Sequence, residues 1–391
     1  MATIEPYTLA SGAIRYRVRY RKPDHKPTDK RGFTTKRDAK AFAATVEVDK
    51  MRGAYVSPAA GKHLVADAAA TWIADQHHLS PSTASRYRGI VDGAIAAKFG
   101  HLTLGKITRP LVRSWIAEQV DADTPAETVH KQVGVLRRIL AQAVEDGRLA
   151  VNPADKVRLP AIVPAEMKFL TLEQLHALAA AAGDAAPAIW TLGACGLRLG
   201  ELVGLRHADV DLEAGVLHIV RSVTLVDGKH VDGPPKGGKR RTVPLPQFVA
   251  EQLPQGRDEA LVFPAPGGGY LRHGNWRTRV FDPAVTKAGL FPTEVEKVVD
   301  GKKTTVVEYD LHPHELRHTA ASLAISSGAN IKAVQAMLGH ARASISLDRY
   351  GHLYPADVEG ITGALQAMLT RPTAADCGHA VGTERKEPVS E

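Results

Sequence analysis

Between His314 and Tyr350 the sequence HELRHTAASLAISSGANIKAVQAMLGHARASISLDRY gathers side chains able to handle a phosphate: His314, Arg317, His318, His340 and Tyr350. Arg198 and Lys236 add two cations upstream. A guanidinium stays charged at any working pH, and its planar fork matches two oxygens of a phosphodiester. Imidazole titrates near neutrality whereas phenol does so near pH ~10, so His close to Tyr suits managing the proton of a tyrosine nucleophile. The letters HELRH also satisfy H-E-x-x-H, the helical zinc-hydrolase pattern, with His314 and His318 as ligands and Glu315 as base. Such sites need a third protein ligand. No Glu occurs between Glu315 and Glu359, the extended H-x-x-G-x-x-H is absent, and Arg317 would stand beside the cation. The stretch therefore reads as a phosphate site rather than a zinc site, and since no cluster of carboxylates suggests a two-metal site either, no metal cofactor is expected.

The remaining chain has to bring a polyanion to that site. Of the net charge of +8, residues 1–60 carry +7, from 13 Lys or Arg against 6 Asp or Glu. A patch this concentrated favours an anionic polymer as partner, against the plainer reading of a solvated charged face. A hydrophobic fraction of 44% supports real cores, and 391 residues suit two or three domains. Only Cys195 and Cys377 occur, no apolar run is long enough to span a membrane, and MATIEPYTLASG lacks the apolar core of a signal peptide. These features predict a cytoplasmic protein.

Three domains follow from the pattern. In residues 1–56, Tyr16, Val18 and Tyr20 alternate with Arg15, Arg17, Arg19 and Arg21, the period of a strand with one basic face. Pro23 to Thr28 reads as a turn and Lys30 to Thr34 as the return strand. A helix then starts after Thr35, with Ala39, Phe42, Ala43 and Val46 on one face. A small sheet backed by a helix, Arg row outward, suits a β-ribbon laid in a DNA groove. After the linker Tyr55–Lys62, residues 62–152 show four helical stretches, one capped by Ser80 with Pro81 behind it and the last closed by Gly147. Arg86, Arg88 and Lys131, with Arg137 and Arg138, are placed to track phosphates or to form an ordinary solvated face. Three prolines mark Asn152–Glu166 as an interdomain linker. Residues 165–370 open with the capping box Thr171/Gln174, pass through strands expected at Ala208–Leu212 and Val216–Arg221 and a hairpin from Val223 to Pro246, and return to helix beyond Phe281. Glu294–Tyr309 alternates around DGKK like a further hairpin of unassigned role. Residues 355–370 read as a short amphipathic helix, and 371–391 as a disordered tail. The fold class is multidomain and mainly α: a small N-terminal sheet plus helix, a four-helix domain and an α+β domain.

The catalytic stretch resembles the tyrosine recombinases, the integrase family named after phage lambda. ACGLRLGEL, carrying Arg198, matches the family's first box, G-L-R-x-G-E-L; His314 and Arg317 match H-x-x-R; His340 in AMLGH matches the third box; and Tyr350 in LDRYGHLYP matches the nucleophile motif, ten residues after His340 rather than the commoner nine. KGGKRRTVPLP resembles the strand-turn-strand element with the general-acid lysine, Lys236, with Lys239 as competitor. GPPKGGK over Gly233–Lys239 imitates a nucleotide P-loop, but Arg240 replaces the needed Ser or Thr. The resemblance implies that Tyr350, or failing it Tyr354, attacks a DNA phosphodiester to leave a 3′-phosphotyrosine and a free 5′-hydroxyl. Arg198 and Arg317 would hold nonbridging oxygens and Glu201 would orient Arg198 or its helix. His314 and His340 would bond the phosphate, or His314 would accept the tyrosine proton, while His318 would pack or orient. It also implies an arm-type DNA-binding domain at residues 1–56, a core-binding domain at 62–152, and a homotetramer on double-stranded attachment-site DNA. A host DNA-bending protein and an excision directionality factor are further expected partners, and the terminal helix would pack on a neighbouring protomer or its own core. The expected function is integration or excision of a phage or mobile element. Chromosome or plasmid resolution by the same family, a zinc hydrolase, and a DNA-binding module without catalysis are the alternatives.

Overall fold

The computed structural model describes residues 2–354, except 23–24, 52–54, 56–59, 165 and 300–301, together with 362, 365–366 and 368–370. The chain divides into two compact units, residues 1–167 with 223–233, and residues 168–222 with 234–391.

In the first unit, β1 (Thr3–Thr8), β2 (Ile14–Arg21) and β3 (Pro27–Phe33) form an antiparallel sheet in the order β1-β2-β3. The alternation of β2 is realised: Val18 and Tyr20 are buried against Ala39 and Val46 of α1 (Lys36–Met51), whose first turn is capped by Thr35 Oγ1 accepting from the Asp38 amide at 3.1 Å. β1 was not legible in the sequence, because Pro6 interrupts it; an edge strand tolerates a proline that a central strand does not. β1 also tempers the basic face, since Glu5 pairs with Arg17 at 2.6 Å and lies 3.5 Å from Arg19. Arg21 donates to the His25 carbonyl at 3.1 Å.

The helices that follow are α2 (Val65–Ala74), α3 (Pro81–Ile90, continuing in wider π turns over Val91–Gly100), α4 (Arg109–Asp121) and α5 (Ala126–Glu145). Ser80 caps α3, and Gly147 takes φ +68° after α5. They enclose a core that includes Trp72, Phe99, Trp115, Leu136 and Leu140. The expected linker begins later than its prolines suggest. Ala154 and Val157 are buried in this core, Asn152 Nδ2 donates to the Arg137 carbonyl at 2.9 Å, and Arg137 Nε donates to the Ala154 carbonyl at 3.2 Å. On the bundle's surface Lys131 pairs with Glu127 at 3.1 Å, Arg86 is exposed, and Arg138 donates to the Tyr87 hydroxyl at 2.8 Å.

The second unit begins with α6 (Leu172–Ala182), which carries the Thr171/Gln174 capping box, then α7 (Ala186–Cys195) and α8 (Leu199–Val203). β4 (Val210–Asp211) and β5 (Val216–Ile219) are shorter than expected. The single hairpin expected from Val223 to Pro246 is two structures. β6 (Ser222–Val226) and β7 (Lys229–Gly233) close through Asp227 and Gly228, both at positive φ as a two-residue hairpin requires. β8 (Arg241–Pro244) instead joins β5, giving the sheet order β4-β5-β8. Residues 223–233 belong to the first unit, where Asp227 accepts from Ser85 Oγ at 2.7 Å and stands 3.8 Å from Arg88. After α9 (Gln247–Ala250), the return to helix comes before Phe281, at α10 (His273–Trp276), and continues into α11 (Asp282–Lys287). The hairpin expected at Glu294–Tyr309 forms as β9 (Pro292–Val299) and β10 (Lys302–Tyr309). α12 (Pro313–Ser326), α13 (Ile331–Leu338) and α14 (Ala343–Tyr350) complete the described fold. The core of this unit packs α6 and α7 against α12 and the inner face of β5 and β8. The helix expected over 355–370 lies largely outside the described residues, and the tail from 371 wholly so.

Candidate active site

The six candidate catalytic residues all belong to the second unit. α7 ends on Gly196 in the left-handed region at φ +71°, where a Cβ would come within 3.1 Å of Met337. The chain turns there, buries Leu197 and leaves Arg198 as the N-cap of α8. Three residues on, Glu201 reaches back: its carboxylate accepts from the Arg198 backbone amide at 2.8 Å and from the Arg198 guanidinium at 2.9 Å. Arg241 approaches the same carboxylate as a fork, at 2.8 and 2.7 Å, and donates its Nε to the Met337 carbonyl at 2.9 Å. Glu201 is 1% exposed. Burial alone would raise its pKa, but the Arg241 fork, with the Arg198 amide and charge, brings it down to about 2. One buried anion thus fixes two cations.

α12 starts after Leu311 and His312, with Pro313 in its first turn. His314, Arg317 and His318 fall on one face of it. Arg317 is buried; it donates to the Gly196 carbonyl at 2.6 Å and to the Leu338 carbonyl. Desolvation, with Arg198 and Arg241 near, lowers its pKa to about 9. His314 is exposed, and its pKa is lowered by partial desolvation and by the charges of Arg317, Arg198, Arg349 and Lys236. α13 is capped by Asn330 and ends on Gly339 at φ +61°, which delivers His340. His340 bonds Ser346 Oγ through Nδ1 at 2.8 Å and lies parallel to the Tyr350 ring, 6.4 Å away.

Tyr350, the last residue of α14, is 1% exposed among Ala321, Ile325, Val334, Leu338 and Phe169. Burial raises its pKa, against the charges of Arg317 and Arg349. Its hydroxyl is hydrogen-bonded to His318 Nδ1 at 2.7 Å. Tyr354 donates instead to the Ala329 carbonyl at 3.2 Å. Lys236 is exposed on the turn before β8, where Gly237 and Gly238 take positive φ.

The fold therefore brings Arg198, Arg317, His340 and Tyr350 into one connected set, with His314 beside His318 at 5.1 Å between rings and the Lys236 charge felt at His314. Arg241 and the His318–Tyr350 bond were not foreseen. The strand register explains Arg241: pairing with Ile219 puts it on the same face of β8 as the buried Val243. The HELRH zinc reading is not supported by this geometry. His318 is engaged by Tyr350, Glu315 accepts from the His312 amide at 2.5 Å, and no group of three His, Cys, Asp or Glu among the described residues is placed to hold a metal.

A helical domain followed by an α+β domain that gathers Arg, His and Tyr side chains is an arrangement suited to breaking and rejoining DNA strands. Residues 168–357 match the Phage integrase family and residues 65–159 match the Phage integrase central domain. The chain belongs to the phage integrase family of tyrosine recombinases. It is 28% identical to the prophage phiRv2 integrase of Mycobacterium tuberculosis over 82% of this chain and 84% of that one. It is 29% identical to the tyrosine recombinase XerC of Mycobacterium sp. (strain KMS), over 61% and 76%. Its fold resembles that of the Tn1549 transposon integrase in complex with a circular intermediate DNA, at TM-score 0.62 and 18% identity over 78% of this chain and 99% of that one. It also resembles the lambda integrase tetramer bound to a Holliday junction, at TM-score 0.56 and 17% identity over 87% and 96%.

Proposed function

We propose that this recombinase is the integrase of a phage or other mobile element, acting as a homotetramer on double-stranded attachment-site DNA. Tyr350 attacks the scissile phosphorus, forming the 3′-phosphotyrosine and expelling the 5′-oxygen, which Lys236 protonates because an alkoxide is a poor leaving group. Arg198 and Arg317 stabilise the charge on the pentavalent phosphorus, with His314 and His340 as hydrogen-bond donors to its oxygens. The covalent link keeps the bond energy, so the 5′-hydroxyl of a partner strand reverses the step. Residues 62–152 grip core-site DNA through Arg86, Arg88 and Lys131. Residues 1–56 read arm-type DNA through Arg15, Arg17, Arg19 and Arg21, once DNA phosphates displace Glu5 from the row. This basic sheet favours integration over chromosome or plasmid resolution. The enzyme acts in the compartment that holds the chromosome, with a DNA-bending protein and an excision directionality factor as accessory partners.

The observation that carries this reading is the shared anchoring of Arg198, Arg317 and the His340 turn around Gly196 and α13, with the Tyr350 ring packed against it. Tyr350→Phe is expected to bind its site with unchanged affinity yet form no covalent adduct on nicked suicide DNA. A detergent-resistant complex with that variant would move the nucleophile to Tyr354.

A further inference from the structure

The reading above leaves His318 without a role, although it is the group that meets the nucleophile. Its Nδ1 lies 2.7 Å from the Tyr350 hydroxyl, the distance of a strong hydrogen bond. Phe169 stands edge-on over both rings at 6.4 Å, and the His314 ring lies perpendicular to His318 at 5.1 Å. Water is largely kept out, with His318 9% exposed. His318 also shares a rigid helix face with His314 and Arg317, so an acceptor placed there stays beside the phosphate ligands.

We propose that His318 is a further catalytic residue, the acceptor of the Tyr350 phenolic proton as the tyrosine oxygen bonds to phosphorus. The inference rests on Tyr350 being the nucleophile. In the forward step the Tyr350 Oη–P bond forms and the P–O5′ bond breaks. The phenolic proton moves to Nδ1 of His318, whose other proton sits on Nε2, and the 5′-oxygen takes a proton from Lys236. In the return step the incoming 5′-hydroxyl gives its proton back to Lys236, and His318 returns its own to the departing tyrosine oxygen.

The surroundings suit this role. Burial, then the charges of His314, Arg349 and Arg317, hold the His318 pKa at about 4, so the ring is neutral and ready to accept at pH 7. The groups facing it are His314 and Arg317 on its own helix, Arg349 and Tyr350 on α14, His340 from the turn before α14, and His352 across Phe169. A phosphate entering among these cations offsets their charge, so His318 becomes more basic when DNA is bound.

The test is the rate of adduct formation on nicked suicide DNA at saturating DNA, from pH 6 to 9, for the full chain and for His318→Ala, His318→Gln and His314→Ala. Removing the acceptor should slow His318→Ala by roughly 10²–10⁴-fold at pH 7. Its rate should climb with rising hydroxide and be partly restored by added imidazole. His318→Gln, which keeps an acceptor but cannot carry the proton onward, should be as slow while binding DNA and unfolding like the parent. His314→Ala should be slowed without imidazole rescue. A His318→Gln chain that cleaves at the parental rate overturns the proposal, as does a His318→Ala chain slowed equally at every pH and deaf to imidazole. An adduct formed by Tyr350→Phe would instead remove the nucleophile assignment beneath it, and the proposal with it.

Discussion

At the scale of single residues, Glu201 is the pivot. Its carboxylate is shared by Arg198, the proposed phosphate ligand, and Arg241, which ties it to the end of α13. Removing Arg241 strands a buried anion with one partner fewer, a change that costs about 3–5 kcal/mol when a buried pair is broken. Arg241→Ala should therefore lower stability toward that range and slow adduct formation, both read from denaturant melts and suicide-substrate assays. Arg241→Lys should recover little, because an ammonium cannot replace the two-pronged contact. The sequence displayed Arg198 plainly, since GLRLGEL sets one arginine in an apolar and small-residue setting. It hid Arg241, because four cations in KGGKRR offer no contrast to pick one out. The His318–Tyr350 bond is hidden for a different reason: the two residues stand 32 apart, and only the fold brings them together.

At the scale of elements, the strands that alternate were legible and those that break alternation were not. β2 and the β9–β10 hairpin show in their period, whereas Pro6 masks β1, and β8 follows a hairpin in sequence but joins β5 instead. The helix caps at Thr35, Ser80 and Thr171 were readable because a cap is a local contact. β1 alters what the N-terminal sheet should do in solution. If the Arg row contacts DNA, each phosphate contact contributes about 0.9 to the slope of log affinity against log salt. A chain starting at Lys62 should lose affinity for arm-type DNA together with most of that slope, while keeping weak cleavage of core-site DNA. Glu5→Gln, which releases Arg17 and Arg19 from their internal partner, should bind arm-type DNA more tightly than the parent. Equal slopes for the full and shortened chains would mark the sheet as a solvated edge.

At the scale of the whole molecule, the catalytic unit is built to be acid-sensitive. Desolvation and neighbouring cations hold the folded pKa of both His318 and His340 at about 4, below the 6.5 of a free imidazole, so the unfolded chain takes up protons first as pH falls. Their contribution is intact above pH 6.5 and lost toward pH 4, and Glu201 adds a further loss between 4.5 and about 2. The thermal midpoint of the second unit should fall steadily from pH 7 to pH 4, and less steeply in His340→Asn; a flat profile by calorimetry would contradict these assignments. The N-terminal sheet and the helices after it are legible as composition and period, but the convergence at α13 is not, because it is made through main-chain oxygens. Arg317 and Arg241 hold the carbonyls of Gly196, Met337 and Leu338, groups that every residue type supplies. What this site depends on is therefore the length of α13 more than the identities of its residues. Apolar exchanges at Met337 or Leu338 leave the anchoring oxygens where they are, whereas one residue gained or lost within α13 rotates its terminal turn by ~100° and points those oxygens elsewhere.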